Sequence, residues 1–142
     1  MRNKWSGLVC ALFLCSCAAL RGYSDEEAKR VNSVGVYGDE QEMRDAAASI
    51  SDNYECQFLG VMTGTSGYGS YSESERRLTG VRGTYNDALF FARITALRNG
   101  ANAIVVKQSF PSKFRIESVN DYIYTLNAHG YKCTGDLKSS EN

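Results

Sequence analysis

The chain of 142 residues is short of several things. It has one histidine, His129, and one proline, Pro111. A metal site needs more donors than one imidazole, and neither CxxC nor HxxxH spacing occurs, so no metal-binding residues are assigned. No GxSxG elbow marks a serine hydrolase, and no GK[ST] follows the glycines as a phosphate loop requires. No catalytic residue is assigned, and no cofactor is implied. Lysine plus arginine equal aspartate plus glutamate at 16 each, giving a formal net charge of zero. A nucleic-acid partner is therefore not expected, because phosphates call for a basic face. The apolar run near the start is WSGLVCALFL, residues 5–14, ten residues without a charge. It falls short of the roughly 20 residues that span a hydrocarbon core. The 43% of apolar residues still suffices for one domain with a modest core.

What is present begins with Arg2 and Lys4, followed by that short apolar run and then small residues. This is the layout of a secretory leader. The next residues, LCSC at 14–17, resemble the lipobox of bacterial lipoproteins. Leu14 stands at −3, Ser16 at −1, and Cys17 is the residue that receives lipid. GLVC, ending at Cys10, fits worse, because Val9 is branched and Gly7 replaces the leucine. Cys10 and Cys15 would then leave with residues 1–16. The resemblance implies a covalent lipid at Cys17, with residues 17–30 as a polar tether. Each buried CH₂ contributes roughly 0.8 kcal/mol, so three acyl chains hold durably where one does not. Ala18 after the cysteine implies sorting to the bacterial outer membrane, with the domain in the periplasm or at the surface. The alternative is simple secretion, with cleavage near Ala18 or Ala19 and no lipid.

Removing residues 1–16 leaves 14 basic against 16 acidic residues and two thiols besides Cys17. In an oxidising compartment Cys56 and Cys133 are expected to pair. A redox-active or metal-binding thiol pair is the competing reading.

Hydrophobic patterning sets out a domain over residues 31–134 and a polar tail over 135–142. VNSVGVYG, 31–38, alternates as a first strand. Asp39 with Glu42 matches a capping box and opens a short helix over 39–50. YECQFLGVMTG, 54–64, alternates as a strand. Residues 63–83 hold five glycines and no apolar period. They read as a loop of about 20 residues, uncommon in a compact domain. It is either a flexible insertion or a contact surface using Tyr68, Tyr71, Arg76 and Arg77. TYNDALFFARITALRNG, 84–100, is the main helix, with Thr84 as cap and Gly100 just past its end. ANAIVVKQS, 101–109, follows as a buried strand. Pro111 restricts the next segment to a turn or an edge. DYIYTLNAHGYKC, 121–133, is the last strand. The expected core is Phe58, Leu59, Val61, Leu89, Ala92, Ala96, Ile104, Val106 and Tyr131.

CQFLGVMTG at 56–64, ALRNGANAIVV at 96–106 and HGYKC at 129–133 together resemble a group of small bacterial lipoproteins of unknown function. The RcsF family of envelope-stress lipoproteins carries the same αβ unit. RcsF-type domains have four domain cysteines, so one bridge at most carries over. The resemblance implies an α+β fold: a small, mainly antiparallel sheet packed against one long helix (residues 84–99), RcsF-like, with one disulfide. The function expected is non-enzymatic: a membrane-anchored domain that binds an envelope protein or a cell-wall component. The alternatives are an RcsF-like stress-signalling lipoprotein and a small periplasmic hydrolase using His129. An exposed His129 with no acidic neighbour would remove the last.

Overall fold

The computed structural model describes residues 22–134. The leader, Cys17, the first part of the expected tether and the tail 135–142 lie outside the described residues. The chain divides into two compact units, residues 1–30 and 31–142. The described part of the first includes the start of helix α1, Asp25–Asn32. Ser24 Oγ accepts from the Glu27 amide at 3.2 Å, and Glu27 Oε2 accepts from the Ser24 amide at 2.9 Å. That is a reciprocal capping box, with three acids in the first turn against the helix dipole.

The second unit is α+β. In chain order it holds β1 (Gly35–Tyr37), α2 (Glu40–Ala48), β2 (Cys56–Ser66), β3 (Tyr68–Ser72), β4 (Arg77–Val81), α3 (Tyr85–Arg98), β5 (Ala103–Phe110), a 3₁₀ turn (Val119–Tyr122) and β6 (Tyr124–Cys133). The main sheet runs β1-β5-β6-β2 and is mixed. β1 lies parallel to β5, and the other two pairings are antiparallel. β3 and β4 form a separate two-stranded hairpin. One disulfide joins Cys56 to Cys133, which stand directly opposite each other in the β2–β6 register.

Helix α3 lies on one face of the sheet. Ala88, Ala92 and Ala96 are fully buried at four-residue spacing and leave the helix surface flat. β2 answers with Gly64. A Cβ there would sit 1.9 Å from Ala88 O and 2.4 Å from Ala92 N, so helix and strand backbones almost touch. Met62, Ile104, Leu126 and Ala128 complete this core. The end of α3 is a Schellman motif: Ala101 N donates to Ala96 O and Gly100 N to Leu97 O, with Gly100 at φ 77°. β5 follows directly.

The opposite face is only partly covered. α2 starts where Asp39 accepts from the Glu42 amide at 2.8 Å, as the capping pattern predicts. It packs on β1 and β5. Met43 and Ala47 cover Tyr37, Ala103, Val105 and Cys133.

Four expectations are corrected. The first strand is confined to 35–37, because Val31 lies in the last turn of α1 and serves as a buried anchor. Among the described residues there are three α-helices rather than the two expected: α1 adds to α2 and to α3, which at 14 residues is the longest. Residues 63–83 are not a loop. β2 continues to Ser66, Gly67 turns at φ 86°, and β3–β4 fold back as a hairpin. Its Gly69–Gly80 pair packs against the 3₁₀ turn; a Cβ on Gly69 would stand 2.5 Å from Val119 O. The glycines that conceal the apolar period are there for close approach. Finally, Phe58 and Val61 are not core: they are 52% and 60% exposed. A bulge between Phe58 and Gly60 inserts a residue and reverses the parity of β2, turning Met62 inward and Val61 outward. Ala92, Ala96 and Ile104 are buried as expected, while Leu59, Leu89, Val106 and Tyr131 are half-buried.

Candidate functional site

The uncovered part of the sheet is the face of β2 and β6 turned away from α3. Tyr131, His129 and Asn127 of β6 point there, because Leu126, Ala128 and Gly130 alternate with them and are buried. On β2 their partners are Phe58, Val61 and Thr63. The Phe58 ring stands edge-on to His129 at 5.2 Å between centroids and tilted against Tyr131 at 5.5 Å. Thr63 Oγ1 donates to Asn127 Oδ1 at 2.9 Å.

Glu40, the first residue of α2, closes one side. Its Oε1 pairs with Lys107 Nζ, accepts from Tyr131 Oη at 3.2 Å and lies 3.7 Å from His129 Nδ1. The Lys107 hydrogen bond is the largest influence holding the Glu40 carboxyl below its usual range, with Tyr131 adding to it. Burial first, then the Glu40 charge, pushes the Tyr131 hydroxyl up. Glu40 is thus ionised and engaged at neutral pH, and Tyr131 keeps its proton. Such a cluster fixes side chains around an apolar surface. Proton transfer to a substrate calls instead for a group poised near the operating pH. His129 does have an acidic neighbour, so the condition for discarding a hydrolytic role is not met.

Near the bridge, a cavity of about 810 Å³ opens at the surface between Glu55, Gln57, Lys132 and Thr134. Asn102 clamps the same end of the sheet. Its Nδ2 donates to Cys133 O at 2.7 Å, and its Oδ1 accepts from Cys133 N at 2.8 Å. Among the described residues no group of three His, Cys, Asp or Glu could hold a metal ion, and no helix is long and apolar enough to cross a membrane.

The hairpin residues do not converge into one surface. Tyr68 pairs with Val81 and Tyr71 with Leu78, and three positions apart on one strand they point to opposite faces. Arg76 turns the hairpin at φ 48°, and Arg77 pairs with Glu75 at 3.6 Å, both exposed. An exposed pair of this kind contributes little stability. Beyond the hairpin Phe114 is 93% exposed, with Arg82 Nη2 donating to its carbonyl at 2.5 Å.

Glu40, Lys107 and Phe58 were not singled out from sequence as site residues. Glu40 reads as one more solvated acid in GDEQEM, and Phe58 as core. The bridge holds a signal for Phe58: counting two residues inward from each of Cys56 and Cys133 sets Phe58 opposite Tyr131. No family model, curated protein or solved structure matches this chain.

Proposed function

We propose that the chain is a lipoprotein of the bacterial outer membrane, acylated at Cys17, whose α+β domain binds an envelope protein or a cell-wall component without chemistry of its own. The observation that carries the binding role is the open β2–β6 face. Phe58 and Val61 are exposed beside His129 and Tyr131, while the nearest carboxylate is engaged by Lys107 and Tyr131. Exposed apolar groups rimmed by polar ones suit recognition. The cross-strand bridge fits an oxidising compartment. The RcsF-like character of the fold belongs to the same proposal. It rests on the ALRNGANAIVV unit, in which α3, the Gly100 cap and β5 follow without a gap.

Fractionation of cells making the full chain tests the anchor. The chain is expected with the outer membrane and the Cys17→Ser variant in the soluble periplasmic fraction; a soluble wild-type chain overturns it. A photoreactive residue at Phe58 or Val61 is expected to crosslink to one envelope component, and silence at both positions overturns the binding face. The hydrolytic reading has one observation behind it, Glu40 beside His129. It would require a turnover that His129→Ala abolishes while binding persists.

A further inference from the structure

Among the large apolar side chains of the described residues Phe114, between β5 and β6, is the most exposed. A lone apolar side chain in water is ordinary. This one is braced there. Before it, Ser112 Oγ donates to Gly83 O at 3.2 Å and Lys113 N to Asp121 O at 2.8 Å. After it, the Glu117 and Ser118 amides donate to Asp121 Oδ2 at 2.9 and 2.8 Å. Arg82 holds the residue itself: Nη2 donates to Phe114 O, and Cζ lies 5.7 Å from the ring centroid. The neighbours are charged. Lys113 pairs with the buried Asp121 at 2.8 Å while its own side chain stays in solvent. Arg115 pairs with Glu117 at 3.0 Å, both in solvent. At the surface the ring is thus collared by three cations, Arg82, Lys113 and Arg115, and one carboxylate, Glu117.

We propose that Phe114 and its three cations dip into a lipid surface with anionic headgroups, as a second membrane contact beside the acyl chains at Cys17; the contact rests on the anchor proposed above. Two observations select lipid. The first is the area on offer. One protruding ring buries at most roughly 150–250 Å², whereas a specific protein interface takes about 800 Å² from each partner. The charged collar leaves the ring no apolar surround to make up the difference. A fluid interface needs no matching pocket: it accepts a single ring and leaves Lys and Arg at headgroup level. The second is the length of chain to the lipid. Eight residues separate Cys17 from Asp25, about 28 Å at full extension, and helix α1 adds about 12 Å. Acyl chains at Cys17 therefore make the contact intramolecular, so one too weak to hold a free chain suffices. The excess of exposed cations over carboxylate sets the preference for anionic headgroups. The Phe58–Val61 face is left to its own partner. Phe58 stands opposite Tyr131, near the end of β6, whereas Phe110, four residues before Phe114, stands opposite Thr125 at its start.

The test places an indole at position 114 of the full chain, extracted from membranes and reconstituted into vesicles whose acyl chains carry bromine, which quenches an indole on contact. Phe114→Trp is compared with Phe58→Trp, each read as the difference from the wild-type chain, whose one tryptophan is Trp5. Both positions are exposed, so neither change disturbs the core. On vesicles of phosphatidylethanolamine and phosphatidylglycerol, Phe114→Trp is expected to emit further to the blue and to be quenched severalfold more than Phe58→Trp. On phosphatidylcholine alone its quenching is expected to fall. An indole at 114 quenched no more than one at 58, on a chain that floats with the vesicles, overturns the contact and leaves the anchor standing. Equal quenching on the two lipid compositions overturns the part given to the cations. A chain that does not float with the vesicles overturns the anchor, and the contact with it.

Discussion

Gly64→Ala puts the closest helix–sheet contact under direct strain. The added Cβ would lie 1.9 Å from Ala88 O, 2.4 Å from Ala92 N and 3.0 Å from Ala88 C. All three are backbone atoms of α3, so no side-chain rotation relieves the clash. The helix must withdraw by about 1.5 Å to restore a van der Waals distance. Withdrawal also loosens Ala92 and Ala96 against Met62, Leu126 and Ala128, all of them buried. Overpacking of this kind costs about 1–3 kcal/mol, and backbone atoms on the struck side place it near about 3 kcal/mol. That is a large part of the roughly 5–15 kcal/mol that holds a small domain folded. Urea unfolding with the bridge intact measures it: the midpoint is expected to fall with little change in slope. Ala88→Gly, added as a second change, is not expected to restore stability, because the struck oxygen belongs to the backbone. A Gly64→Ala midpoint within error of wild type would refute the close approach of α3 to β2.

Replacing both bridge cysteines by serine opens a crosslink of sequence separation 77, and calorimetry is expected to show a loss of up to about 4–5 kcal/mol in the chain-entropy picture. Asn102→Ala leaves the Cys133 amide and carbonyl without their side-chain partner and is expected to cost about 1–3 kcal/mol in the same unfolding assay. Asp121 is buried; the Lys113 ammonium first, then the Glu117 and Ser118 amides, hold its carboxyl well below the usual range. A depressed carboxylate contributes fully above its unfolded pKa of about 3.9, and its contribution is lost as pH falls through the folded value. Stability compared between pH 7 and pH 2 is therefore expected to favour wild type over Asp121→Asn at neutral pH, with the gap closing in acid. Phe58→Ala is expected to leave the unfolding midpoint nearly unchanged, since the ring is half in solvent, while removing crosslinks from the open face.

Local signals carried the parts of the fold that depend on neighbours in sequence. Asp39 and Thr84 cap helices with the partners their spacing predicts, Gly100 takes the left-handed position after α3, and β5 begins within three residues. The Cys56–Cys133 pairing followed from the cysteine count and compartment. The sequence misled where a residue's role is set at long range. In β2 apolar character alone made Phe58 and Val61 core although alternation sets them on opposite faces, and the inserted residue at the bulge is what turns both away from α3. The hairpin was hidden because Gly69 and Gly80 stand where a strand signal would have β-branched residues; the 3₁₀ turn packed on Gly69 and the β3 backbone facing Gly80 leave no room for a Cβ. The Glu40–Lys107–Tyr131 cluster joins three segments whose meeting depends on sheet order, including a parallel β1–β5 pairing that local patterning does not specify.

The central claim, a lipid-anchored domain stapled in an oxidising compartment, meets its most direct test in one mass measurement. The protein is extracted from membranes, its free thiols are blocked, and intact mass is read before and after reduction. The account expects a triacylated chain beginning at Cys17, with Cys56 and Cys133 open to blocking only after reduction. An unacylated chain, or two thiols blocked without reductant, would contradict it.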